Sequence, residues 1–447
     1  MIARLLLQIC LISMLVLPAR AIDRAIDRAI DLTVQNVTTK SGIKFWFVED
    51  KSLPVITVRM TWRGGAITET DATNGVTRLM ASLLDEGAGP YSARRFKAAL
   101  AEKAVRLSFG TDLEGVSSTL QCLTTHKDEA FHLLKLALQQ PRFDADAVER
   151  MRTTLINGRR SALGNPRVLN GENWWRMAFA GHPLSRPVSG SIENLKAFSK
   201  ADIAAAHHAH LARDNLVLTI VGHMSAAEAE AAVEQTFKGL PAQSDLPTIA
   251  DVKIKPDGRT ALIDYPTPQA EILFGLQGIA YQDPDFFPAY VMNYILAGGG
   301  FSSRLMEEIR EKRGLAYGVY AGLSNYQNAS IWRGNIATAP DNTATALALL
   351  KQEIKRIKET PVTDAELDAA KSYLTGVYLM RFDSAQKIAG QLHGTQLIGF
   401  DSAYIHRRNN LINKVTPEQI QAVARRLLNE DQLVISIISR AAEKEAD

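Results

Sequence analysis

The chain has 447 residues, of which 46% are hydrophobic and 22% charged, with 51 Lys and Arg against 48 Asp and Glu. That length exceeds a single ordinary core, and the apolar content is enough to bury at least two domains. The near balance of charge excludes the basic footprint of a nucleic-acid or anionic-membrane binder, so no nucleic acid is expected among its partners.

In chain order, the first segment is "MIARLLLQICLISMLVLPARA". It carries a basic Arg4, an apolar run from Leu5 to Leu17, and Ala19-Arg20-Ala21 in the small-x-small form of a signal peptidase site. The pattern predicts a signal peptide over residues 1–21 and export to the periplasm. Cleavage would remove Arg4 and Arg20, leaving 49 basic against 48 acidic residues. The apolar run is short for a bilayer, and no later segment approaches the roughly 20 apolar residues of a spanning helix, so no membrane span is predicted. Cys10 lies in the signal and Cys122 is then alone, which excludes an internal disulfide. The four-residue repeat of "AIDRAIDRAIDL" marks residues 22–32 as a charged leader without chemistry.

An N-terminal domain is predicted over residues 33–239, opening with strands in "KFWFVEDKSLPVITVRMTWRGG". In "NGVTRLMASLLDEGAG", Val76, Leu79, Met80, Leu83 and Leu84 recur at helical spacing and Gly87 can stop the helix. Arg78, Ala81 and Ser82 fall at i, i+3 and i+4 on the other face, the spacing at which paired metal ligands sit, yet none of the three is a good ligand. Farther on, His207, His208 and His210 form "HHAH" with no carboxylate or cysteine placed to complete a metal set, and a solvated helix face is predicted there.

Residues 240–258, "LPAQSDLPTIADVKIKPDG", are rich in Pro, Asp and other polar residues and read as a linker. A C-terminal domain over 259–447 opens with strands in "RTALIDYPTPQAEILFGLQG". Its "ILAGGGFSSRLMEEIREKRGLAYGVYAGLS" combines a glycine turn at Gly298 to Gly300, a charged helix carrying Arg310, and a strand carrying Tyr317.

The two domains repeat one plan. Phe198 to Gly222 and Val415 to Ser439 each read as a capped amphipathic helix, a polar turn and an apolar strand, and pairing Leu216 with Leu433 gives an offset of 217. Pairing Val148 with Leu367 in an earlier helical stretch gives 219. Two pairs at nearly one offset point to a duplicated unit. Strands followed by long helices predict the α+β class, each half a sheet covered mainly on one face, the halves facing each other across a chamber.

Along essentially the whole mature chain the sequence resembles the M16 family of zinc peptidases, the pitrilysin and mitochondrial-processing-peptidase group. "LPVITVRMTWRGGAITET", the helix at Val76 and "GHPLSRPVSGSIENLKAF" carry the likeness in the first half. The resemblance implies two homologous halves of the kind seen in LuxS and the processing peptidases. In catalytic members the helix bears an inverted His-x-x-Glu-His motif, with two zinc-binding histidines, a glutamate that activates water, and a further glutamate downstream. Overlaying that pattern puts Arg78 and Ser82 at the histidines, Ala81 at the base and Asn157 at or near the later glutamate. Zinc needs neutral imidazole, thiolate or carboxylate ligands, whereas Arg78 places a permanent cation there, so a degenerate zinc site and no metal in this chain are expected.

The second half keeps what resembles the Arg-x6-Tyr element of the family, preceded by the glycine-rich turn. The resemblance implies that Arg310 and Tyr317 reach an active site across the chamber, with Gly298, Gly299, Gly300 and Phe301 binding substrate. Loss of one half of the site and retention of the other implies the non-catalytic subunit of an exported heteromeric M16-type zinc peptidase, inactive alone. Its expected partners are a homologous subunit carrying HxxEH and zinc, and a peptide or unfolded polypeptide substrate. The alternative is a peptide-binding or structural protein without an enzymatic partner.

Overall fold

The computed structural model describes residues 32–440. The predicted signal peptide, all but the last residue of the charged leader, and residues 441–447 lie outside the described residues. The first half contains β1 (Gln35–Thr38), β2 (Lys44–Glu49), β3 (Val55–Arg63), the short pair β4 (Gly87–Ala88) and β5 (Tyr91–Ser92), β6 (Arg106–Thr111), β7 (Gly115–Leu123) and β8 (Leu216–Gly222). Its helices are α1 (Val76–Ala81), α2 (Ala93–Glu102), α3 (Lys127–Gln139), α4 (Ala145–Leu163), α5 (Pro166–Ala178), α6 (Ile192–Ala197), α7 (Lys200–His210) and α8 (Ala226–Phe237).

The second half contains β9 (Thr260–Asp264), β10 (Ala270–Gln277), β11 (Ala316–Tyr326), β12 (Ala329–Thr338) and β13 (Val434–Ser439). Its helices are α9 (Phe286–Asn293), α10 (Thr343–Glu359), α11 (Asp364–Leu379), α12 (Ala385–Leu397), α13 (Tyr404–Asn413) and α14 (Pro417–Leu427). Neither helix nor strand forms between Phe237 and Thr260, yet Ile254 is buried between the halves and its N–H donates to Gln277 Oε1 at 3.0 Å.

Duplication is visible strand by strand. The first sheet runs β1-β2-β8-β3-β7-β6 and the second β11-β12-β10-β13-β9. Apart from the extra edge strand β1, these are one order, with β8 and β13 each parallel to one neighbour and antiparallel to the other. The helices feeding those two strands are alike as well: α7 starts with a capping box of Ser199 and Asp202, α14 with one of Thr416 and Gln419. Each box satisfies N-terminal N–H groups that the helix itself leaves unpaired.

Each sheet has its own helices packed on one apolar face. In the first, Ile56, Val58, Met60 and Trp62 of β3 and Leu218 and Ile220 of β8 point into the main core. By the two-residue period of a strand, Thr57, Arg59, Thr61 and Arg63 face the other way. The sequence leaves that second face open; the structure covers it with α12 from the other half. Thr61 Oγ1 lies 2.8 Å from His393 Nε2, the Thr219 hydroxyl donates to Gln396 Oε1 at 3.1 Å, and Arg63 Nη2 donates to the Leu397 carbonyl at 2.8 Å.

The second sheet receives the reciprocal helix, α5, which begins 219 residues before α12. Fully buried Asn170 donates to the Glu271 carbonyl at 2.8 Å and accepts from Ser436 Oγ at 2.7 Å. Trp174 Nε1 donates to the Val434 carbonyl at 3.0 Å, and its ring lies where a Cβ on Gly275 would stand, 2.4 Å from Trp174 Cζ2. The halves therefore clasp each other through equivalent helices. They also enclose a cavity of about 930 Å³, lined by Arg63 and Glu114 from one half and Tyr281 and Asn325 from the other.

His393 makes this clasp sensitive to acid. Burial first, then the nearby Arg59 and Arg63 cations, push its pKa down to about 3. The unfolded chain binds the proton at the ordinary histidine value and the folded chain does not, so stability is complete above about pH 6.5 and falls as pH drops toward the folded value. Chemical denaturation at a series of pH values should show the wild type losing about 1.4 kcal/mol per pH unit more than His393→Gln between about pH 6 and about pH 4. Parallel curves for the two proteins would refute the assignment.

Candidate functional site

Helix α1 is set by Glu69, whose buried carboxylate accepts from the N–H groups of Gly75 at 2.8 Å and Thr77 at 2.9 Å. Burial raises the Glu69 pKa, with these hydrogen bonds pulling in the opposite direction. Gly75 takes φ 103°, and its start of helix abuts Gly190, where a Cβ would come 2.6 Å from the Asn74 carbonyl. Val76, Leu79 and Met80 enter the core, as their spacing predicts.

Of the three residues expected on the opposite face, Arg78 is exposed and half-buried Ser82 donates its hydroxyl to the Leu79 carbonyl at 2.8 Å, whereas Ala81 is buried with the core residues, its small apolar side chain packing there. Helix α4 packs against α1, but its Asn157 is exposed and accepts from Arg160 Nη1 at 3.4 Å. The residues present do not fit a zinc ion. Arg78 has no lone pair to give, Ala81 has no polar atom, and Ser82 is committed to the helix backbone. Among the described residues, no three His, Cys, Asp or Glu side chains gather into a metal-binding group.

The histidine cluster corrects one expectation. Rather than lying on a solvated face, His210 is buried, with Nδ1 2.8 Å from the Ala206 carbonyl and Nε2 3.3 Å from both Thr68 Oγ1 and Thr77 Oγ1. His207 is half-buried, with Nε2 2.8 Å from the Leu138 carbonyl and its ring edge-on to Phe143. Only His208 of the three is exposed. Burial lowers the pKa of both inner histidines, so they pin α7 to α1 and to α3 in neutral form.

In the second half the chain after α9 continues through a π-helical turn at Tyr294–Gly298, and a second π-helical stretch, Met306–Glu311, precedes β11. Such turns carry one extra residue per hydrogen-bonded ring and recur at functional sites. Buried Arg304 grips Glu366 through two hydrogen bonds of 2.7 and 3.0 Å, and Leu305 and Ile309 enter the core, which turns Arg310 outward. The Arg310 guanidinium carbon lies 4.5 Å from the centre of the Phe301 ring, and its Nε is 3.7 Å from Glu311.

Tyr317 sits at a bulge of edge strand β11, skipped between the Ala316–Thr338 and Gly318–Ala337 pairs, and is 74% exposed. The bulge aims its phenol away from the sheet. Gly298 and Gly299 are packed within the chain: a Cβ there would stand 2.8 Å from Asn293 Nδ2 and 2.9 Å from the Tyr294 carbonyl. At Gly300, φ is 58° and the space around the Cβ position is open.

Arg310 and Phe301 are thus brought together, while Arg78 lies elsewhere, on a second cavity of about 540 Å³. Neither cavity is lined by Arg310, Tyr317 or the 298–301 turn. Sequence reasoning missed the rest of the second lining, notably Glu172, Trp175, Arg186, Tyr326 and Arg333. The usable signals were the paired Trp174-Trp175 in a polar helix and an arginine in the middle of an apolar strand.

Elemental analysis of the purified, dialysed chain should find no stoichiometric zinc. One tightly held zinc per chain, lost on substitution around Arg78, would contradict the poor fit of these side chains.

Comparison with known proteins agrees with this geometry. Residues 46–191 match the family described as insulinase (peptidase family M16), and residues 197–374 match the peptidase M16 inactive domain. A "non-peptidase homolog YmxG" of Helicobacter pylori is 26% identical over 91% of this chain and 94% of its own length. The crystal structure of a peptidase M16 inactive domain from Pseudomonas fluorescens superposes with a TM-score of 0.86 at 27% identity, covering 93% of this chain and all of that one. The periplasmic protease PqqL of Escherichia coli shares the fold at 14% identity and a TM-score of 0.80, over 91% of this chain and 45% of its own. The chain belongs to the M16 peptidase family, and its relatives include a protein named as a non-peptidase homologue and a structure described as an M16 inactive domain.

Proposed function

We propose that this chain is the zinc-less subunit of an exported, heteromeric M16-type peptidase, lending Arg310 and Tyr317 to a homologous subunit that carries the HxxEH helix and the zinc. The observation that carries the reading is the pairing of a lost ligand set on α1 with an Arg and a Tyr presented on an open surface of the second half. An exposed bulged tyrosine on an edge strand is available to a second chain in a way that a residue inside a cavity is not. Export rests on the Arg4, Leu5–Leu17 and Ala19-Arg20-Ala21 pattern. Among the described residues no helix is long and apolar enough to cross a membrane.

In this reading the Tyr317 hydroxyl donates a hydrogen bond to the oxygen that becomes negative as the scissile carbonyl is attacked. Arg310 leaves the Phe301 ring to hold a substrate carbonyl. A cation–π contact at an exposed site is worth only about 0.5–1 kcal/mol, so that release costs little. The peptide-binding alternative is favoured by a separate observation, the cavity beside Arg78, whose walls this chain supplies by itself.

The test is peptide cleavage by the reconstituted pair, with the wild-type partner constant and assembly checked by size. Tyr317→Phe removes one exposed hydroxyl, so folding and assembly should survive while turnover falls by about 10²–10³. Arg310→Ala should also raise KM. Full turnover in a correctly assembled Tyr317→Phe complex would rule out the oxyanion role.

A further inference from the structure

We infer that the cavity of about 540 Å³ between the halves is a binding site for the carboxylate of a peptide. Unlike the role in trans, this site needs no second subunit. Its walls come from the exposed face of α1 (Arg78), the 184–189 loop (Arg186), α5 (Glu172 and Trp175), the end of β11 (Tyr326) and β12 (Arg333). The volume falls within the usual range for small-ligand sites, about 300–1,000 Å³, and accommodates a carboxylate with the residue or two that bear it.

Charge accounting singles out the ligand. Three arginines and three carboxylates line the cavity: Arg78, Arg186, Arg333, Asp112, Glu114 and Glu172. Arg186 is held by Asp71 at 3.3 Å and by the Glu69 carbonyl. Glu172 is paired with Arg159, one of its hydrogen bonds being 3.0 Å. Asp112 Oδ1 accepts from the N–H groups of Glu114 and Gly115, both at 2.8 Å, and Glu114 accepts from the N–H of Gln327. Burial raises the Glu114 pKa and so favours its neutral form.

Backbone N–H donors leave Asp112 its negative charge, but the charged lining groups whose side chains have neither an ion-pair nor a hydrogen-bond partner are two cations. The side chains of Arg78 and Arg333 make no ion pair and no hydrogen bond among the described residues. Arg333 is half-buried, its guanidinium carbon 5.4 Å from the Trp174 ring centre and 5.3 Å from that of Trp175. Cation–π contact with these rings uses none of the guanidinium's N–H donors as hydrogen bonds, and those donors match a carboxylate's two oxygens. A partly desolvated cation without an anion is costly, and a bound carboxylate removes that cost. The remaining wall suits a peptide: Trp175 packs edge-on to Tyr326 at 5.4 Å, beside Leu113, Leu184 and Val188.

The carboxylate can be a C-terminus or an acidic side chain, and the experiment separates the two. Calorimetry on the full chain would use an N-acetylated tripeptide ending in leucine, the same peptide as its C-terminal amide, and an amidated tripeptide with a central glutamate. One of the two carboxylate peptides should bind at least about tenfold more tightly than the neutral amide, the scale of one charge-assisted hydrogen bond. The tighter of the two identifies the source. Arg333→Gln and Arg78→Gln should each abolish most of that preference, and Arg78, exposed on its helix, can be changed without disturbing the core should the Arg333 variant fold poorly. Equal affinity for acid and amide, no binding by any of the three, a preference that survives Arg78→Gln, or tighter binding of inorganic phosphate than of any peptide would overturn the assignment.

Discussion

Everything else in this molecule depends on the exchange of one helix between its halves. Each sheet is apolar toward its own helices, but on the other face it carries Thr61, Arg63 and Thr219 in one half, and Glu271, Gly275 and Ser436 in the other. Such faces cannot be sealed by a greasy helix without stranding polar groups. Helices α12 and α5 answer them with His393 and Gln396, and with Asn170, Asn173 and Trp174. At Asn170 both ends of a fully buried amide are satisfied, which is the condition under which a buried polar contact is tolerated and directional. Neither sheet is complete alone, so the halves form one body.

That clasp also sorts the possible sites into two kinds. Surfaces turned inward, between the halves, are supplied wholly by this chain and can bind a ligand in isolation. The start of edge strand β11 and the π-helical turns line neither cavity, and there Tyr317 is 74% exposed while Arg310 lies over Phe301 and beside Glu311. A reaction using those two residues needs its other components from elsewhere. A binding event at Arg78 and Arg333 does not.

The duplicated plan was legible in the sequence because its signals are local. Ser199 and Asp202, or Thr416 and Gln419, sit three residues apart, and the strands that follow are continuous apolar runs. The core face of α1 was legible for the same reason. The clasp was hidden, since α5 and α12 carry asparagine, glutamine, glycine and histidine where a buried helix would ordinarily show leucine, and their partners lie 101 to 334 residues away. His210 was misread on the same grounds: the hydroxyl that explains its burial belongs to Thr77, 133 residues earlier. Arg333 gives no local sign of being unpaired, because that property depends on every carboxylate brought near it by the fold.

If Arg78 stands where catalytic members of the family carry a metal ligand, as the proposed reading has it, the position does something different with a bound peptide. A zinc ion offers empty orbitals, polarises a carbonyl and lowers the pKa of a bound water enough to make hydroxide near neutral pH. A guanidinium also offers positive charge, but only through N–H donors, and it neither coordinates water nor accepts a proton. Ala81, which the proposed reading places at the family's general base, has no group that could take a water's proton. Attraction for an electronegative oxygen is retained while both means of activating water are gone. Under the proposed reading, a peptide held here by its carboxylate or carbonyl oxygens is left uncut, which is the behaviour that a binding subunit requires.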